Sequence, residues 1–214
     1  MKNLVFGCSL FVLAFAAHAY EFDFVGRVTY TDGSLSSVAE GTLLQGHFQA
    51  EGPSSDYEGF GWTDLASYSF ASGQVSVSIN GHVVSASSPS IRIYDDAGSN
   101  VEDGFSMSSG YPLVVDGVTY QSGAFGFNLT TQPGNSGAIH GLALPAQINV
   151  ADFDGHSSLT YGYMQRDGAP GGVILQFEVL SVAVSAVPEP STAGLLLAGL
   201  LGVAGVCRRH SRVA

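Results

Sequence analysis

Apolar and polar residues alternate with a period of two through much of the chain: in Phe22–Tyr30 (FDFVGRVTY), Gln74–Ile79, Ser90–Tyr94 and Val173–Val184. Successive strand side chains point to opposite faces, so this period predicts strands with one buried and one wet face. Asn80-Gly81 separates QVSVSI from HVVSA, and Asp116-Gly117 separates PLVV from VTYQS. Both dipeptides suit a two-residue hairpin turn whose central residues need positive φ, so two hairpins are predicted at these points. Between Tyr20 and Val187 no window of a dozen residues sustains a capped helical period, and no repeat of 20 to 50 residues stands out. Roughly ten short strands predict an all-β domain, an antiparallel β-sandwich or jelly roll.

The two ends follow a different pattern. Met1-Lys2 gives a short positive start, Leu4–Ala16 is almost wholly apolar, and Ala17-His18-Ala19 has the small-x-small form that signal peptidase cleaves. Residues 1–19 are therefore expected to be a signal peptide and 20–186 an exported domain. Cys8 lies ahead of most of the apolar stretch, whereas a lipobox needs it behind. At the other end, Ala193–Cys207 is an uncharged run that would rise roughly 22 Å as a helix, short of the roughly 30 Å hydrocarbon core. Arg208, Arg209 and Arg212 follow and favour the cytoplasmic side. A single hydrophobic C-terminal helix with transient membrane contact is expected there.

The order Val187-Pro188-Glu189-Pro190-Ser191-Thr192, then the apolar run, then Arg208-Arg209, closely resembles the PEP-CTERM sorting signal. The resemblance covers residues 187–214. It implies that Pro188, Glu189 and Pro190 are the recognition motif, that Arg208 and Arg209 act as a stop signal, and that the partner is the membrane protease exosortase. It also implies an association with exopolysaccharide and biofilm production. The strand layout of the exported part is similar to the β-rich ectodomains of many PEP-CTERM proteins.

Without the terminal segments the charge sharpens. The chain has 7 Lys+Arg and 18 Asp+Glu. Lys2, Arg208, Arg209, Arg212 and Glu189 lie in the terminal segments, so Tyr20–Val187 keeps 3 basic and 17 acidic residues, 3 − 17 = −14. Such a surface repels nucleic acid and anionic headgroups and favours cations or neutral polymers. Both cysteines, Cys8 and Cys207, are terminal, so the exported part forms no internal disulfide and relies on its core.

Several constellations carry candidate chemistry. The acidic loop with Asp95, Asp96, Asn100, Glu102 and Asp103 offers oxygen ligands for calcium, although its spacing is not that of an EF-hand and such residues also populate turns. Asp152 and Asp154 form a weaker candidate. Tyr57 and Trp62, with Phe60 and Tyr68, could stack on sugar rings of an exopolysaccharide or fill a core. Pro133-Gly134-Asn135-Ser136-Gly137 resembles the nucleophile motif of chymotrypsin-like proteases but continues with Ala138-Ile139 instead of Gly-Pro, and its residues are those of an ordinary turn. His47, His82, His140 and His156 lack zinc-site spacing. No nucleotide fingerprint or redox motif occurs. The expectation is a non-enzymatic structural or adhesive protein of the envelope or extracellular matrix, with no cofactor unless calcium; the alternative is an extracellular hydrolase acting on glycan.

Overall fold

The computed structural model describes residues 19–56, 64–97, 102–155, 162–165 and 172–185. Among these residues eleven strands follow one another: β1 (Ala19–Thr31), β2 (Leu43–Asp56), β3 (Leu65–Ile79), β4 (His82–Ser87), β5 (Ser90–Ala97), β6 (Glu102–Ser108), β7 (Leu113–Val115), β8 (Val118–Tyr120), β9 (Ala124–Thr130), β10 (Gly162–Gln165) and β11 (Val173–Ser185). Among the described residues the one helical element is a 3-10 turn, Val150–Asp152, capped by the Asn149 side chain. The expected C-terminal helix and residues 1–18 of the expected signal peptide lie outside the described residues, and Ala19, the last residue of that segment, opens β1.

All pairings are antiparallel. The sheet runs β2-β1-β11-β10-β9-β6-β5-β3, and a further β2–β3 pairing joins its two ends. The all-β, antiparallel class is the one the alternation predicts, and the sheet that realises it is an eight-stranded closed barrel. Closure leaves these eight strands without an open edge. β3 is long enough to serve two neighbours on one side: Leu65–Ser69 pairs with β5, and Gln74–Ile79 pairs with β4, from which β7 and β8 extend as a short flap. Register shifts in the β1–β11 ladder at Val25/Gly26 and Val28/Tyr30 supply local twist of the kind that closure of a narrow barrel needs.

Both predicted hairpins form where the sequence puts them. Asn80 and Gly81 have φ of 44° and 89°, and Asp116 and Gly117 have φ of 49° and 81°. Ile79 pairs with His82 and Val115 with Val118 across these turns.

The barrel interior is filled with rings. Phe22, Phe24, Phe48, Phe105, Phe125, Phe127 and Phe177 are all buried, with Phe22 and Phe48 stacked at 4.6 Å and Phe125 and Phe177 at 5.5 Å between centroids. So many rings fit in an eight-stranded barrel because small residues face large ones across the ladders. Gly46 pairs with Phe24, and Gly162 pairs with both Phe177 and Phe127. A Cβ at Gly46 would overlap the Phe24 ring, and one at Gly162 would overlap Phe177. The outer face carries Asp23, Arg27, Gln45, Gln49, Gln74, Ser78 and Arg92, all exposed. A lipid-spanning barrel has an apolar belt outside, so this distribution is the reverse of one and suits water on the outside.

Candidate functional site

One end of the barrel gathers the start of β1, β3, β6 and β10 and the finish of β2, β5, β9 and β11. The long connection from β9 to β10 crosses this end. Its described part, residues 131–155, buries Ile139, Ile148 and Phe153 in the core and packs Ala138, Leu142, Leu144 and Val150 against it. Two tyrosine hydroxyls hold its backbone from below. Tyr20 on β1 donates to the Pro145 carbonyl at 2.9 Å, and Tyr68 on β3 donates to the Leu142 carbonyl at 2.7 Å. Burial pushes the Tyr20 phenol well above its ordinary pKa, so it remains a donor.

Carboxylates hold the same segment by its amides. The side chain of Asp103, the second residue of β6, is fully buried. Its Oδ2 accepts the N–H groups of Gly137, Ala138 and Ile139 at 2.7, 2.9 and 3.0 Å, and its Oδ1 accepts that of Asp96 at 3.0 Å. Burial raises the Asp103 carboxyl, but the four amides more than offset this and hold it below the usual Asp range. Asp95 accepts from the Gly141 amide at 2.6 Å. Asp154 accepts from the Gln132 amide and the Asn135 carboxamide at 3.1 and 3.0 Å, and these bonds also lower its pKa. Thr131 closes the arrangement: its hydroxyl accepts from the Asp103 amide and donates to the Asn135 carbonyl.

This geometry revises how the acidic residues read. Asp95, Asp96 and Asp103 do come together, each offering an oxygen within 4.8 Å of the others. Oδ2 of Asp103 is taken up by three amides, however, so this residue serves the fold first. Glu102 is half-buried on β6, and Asn100 lies outside the described residues. The protease-like turn finds its explanation here too. The amides of Gly137 and Ala138, which follow Ser136 directly, are bonded to Asp103, so this turn anchors the cap to β6. Of the aromatic set, Tyr68 is a core residue with a capping hydroxyl, whereas Tyr57, Phe60 and Trp62 lie outside the described residues.

A second surface runs along the barrel wall. Cross-strand neighbours form rows on the outer face: Asp23, His47, Ser76, Ser85 and Val114 in one, and Glu21, Gln49, Gln74 and Ser87 in the next. His47 is tied to the acidic border, with Nδ1 2.8 Å from Asp23 and Nε2 3.8 Å from Glu21. Three shallow grooves of about 300, 310 and 240 Å³ lie over these rows. Their polar lining is mainly hydroxyl and carboxamide, groups that exchange hydrogen bonds with a hydroxylated ligand.

Fold and site thus define an acidic, water-exposed β-barrel with a polar wall and a capped end. The family model of the PEP-CTERM protein-sorting motif matches residues 186–212, a span that includes Pro188, Glu189, Pro190, Arg208 and Arg209. The chain therefore carries a PEP-CTERM sorting motif, which implies an exported protein sorted by way of the membrane and processed by exosortase. No curated protein and no solved structure matches the chain.

Proposed function

We propose that the exported barrel is a structural or adhesive component of the extracellular polysaccharide matrix, placed outside the cell or at the outer membrane after exosortase processing. The observation that carries this reading is the polar wall. Rows of Ser and Gln across β2, β3 and β4 present many weak hydrogen-bonding groups over roughly 1 to 2 nm of sheet, a pattern suited to a polymer rather than to one small molecule. The strongly acidic remainder of the surface disfavours nucleic acid and points to neutral polymer, or to anionic polymer with calcium as a bridge. Calcium enters this reading through Asp95 and Asp96 more than through Asp103, whose oxygens accept backbone amides.

A pull-down of the purified protein on polysaccharide from a host that carries an exosortase tests the proposal. Saturable retention is expected. Ser76→Asp with Gln74→Glu should weaken it roughly tenfold without lowering the thermal midpoint, because both residues lie on the outer face. Retention unchanged in that variant removes the wall from the account. Reducing ends released from the polymer would move the reading to a hydrolase, and calcium-dependent retention would add the bridge.

A further inference from the structure

At the barrel end opposite the cap, three turns meet on one imidazole. His82, the first residue of β4, follows the Asn80-Gly81 turn directly. Its Nδ1 lies 2.6 Å from Oδ2 of Asp116 in the β7–β8 turn, and its Nε2 lies 2.6 Å from the Ser36 carbonyl in the β1–β2 connection, residues 32–42. Asp116 also accepts the Val83 amide through Oδ1 at 2.8 Å, and the Asn80 carboxamide donates to the Ser37 carbonyl at 2.5 Å. The connection held in this way tucks Leu35 and Val38 into the core.

The chemistry of the two contacts fixes the state of the ring. A carboxylate and a carbonyl are both acceptors, and a neutral imidazole has only one N–H to give. The imidazolium satisfies both at once. We propose that His82 is a pH-sensitive latch: as the cation it clips the 32–42 connection to the two hairpin turns, and on losing its proton it releases one of them, loosening the segment over Leu35 and Val38.

The surroundings leave Asp116 as the group that sets the charge balance. Among the described residues it is the only ion-pair partner of His82. The 32–42 connection also carries Asp32, which accepts from the Ser34 amide and hydroxyl, and Glu40; β3, β4, β7 and β8 contribute no further charged side chain. The bond to Asp116, reinforced by the Ser36 carbonyl, raises the His82 pKa above its ordinary value, while the cost of removing the ring from water opposes it. A raised folded pKa places the stabilisation below the ordinary His range of about 6.5, and it is lost as pH rises through the folded value.

Hydrogen exchange of the full chain, corrected for intrinsic rates, tests the latch between about pH 6 and pH 9. The amides of residues 33–41 should lose protection by roughly three- to tenfold as the pH rises, the loss of one charge-assisted hydrogen bond at a partly exposed site. His82→Gln, which cannot titrate, should flatten that dependence. Asp116→Asn is the sharper variant, since its carboxamide can donate to a neutral Nδ1 while Nε2–H still serves Ser36. The latch should then stay closed at high pH. Protection that is independent of pH in the native chain overturns the proposal, as does a native-like pH dependence in either variant.

Discussion

The two ends of the barrel solve the same problem with opposite charges. At one end buried and half-buried carboxylates draw in backbone amides and hold down residues 131–155; at the other an imidazolium donates outward to a carboxylate and a carbonyl. The capped end has its ionic centre inside, where an unmet amide is costly, and it also buries Ile139, Ile148 and Phe153. The latched end is shallower, its histidine side chain 17% exposed and its aspartate 45%. Depth therefore decides which end is a permanent part of the fold and which can respond to its surroundings.

That contrast can be broken most forcibly at Asp103. Asp103→Ala leaves four amides facing an empty position and should cost about 3 to 5 kcal/mol, with loss of protection concentrated in residues 132–141, as chemical denaturation combined with exchange would show. A cost below about 1 kcal/mol would mean that the cap rests on its apolar side chains alone. Next in size is a change that respects neither end. Gly46→Ala forces a methyl group into the Phe24 ring and should destabilise by roughly 1 to 3 kcal/mol, lowering protection along β1 and β2 rather than at the cap or the latch. A smaller, local effect is expected from the latch variants, which act at a partly exposed ion pair.

How much of this was legible in the sequence follows from the range of each interaction. The hairpins at Asn80-Gly81 and Asp116-Gly117 were readable because a turn dipeptide and its flanking alternation are local signals. Closure was not, because a strand lining a barrel and one lining a sandwich show the same alternation. It depends on β2 pairing along most of β3, and the matching of Gly46 to Phe24 appears only once the β1–β2 register is known. The acidic loop was readable as a cluster of oxygen donors. That Asp103 turns inward to amides more than thirty residues away, in a segment that reads as an ordinary turn, has no local signature. His82 carries no motif at all, and its role depends on two turns brought to it from elsewhere in the chain. The sorting motif is the opposite case, a signal read as sequence and therefore visible without a fold.

The most direct test of the central claim, that an ionised Asp103 holds the capped end, is the pH dependence of exchange at the Gly137, Ala138 and Ile139 amides. The depressed folded pKa of Asp103 means that its stabilisation is present above the ordinary Asp value of about 4 and is lost as pH falls through the folded value. The account predicts that these three amides stay protected at neutral pH and open together on acidification, ahead of the β9 amides. Amides that exchange at neutral pH as fast as an exposed loop, or that stay protected after the carboxyl is protonated, would contradict it.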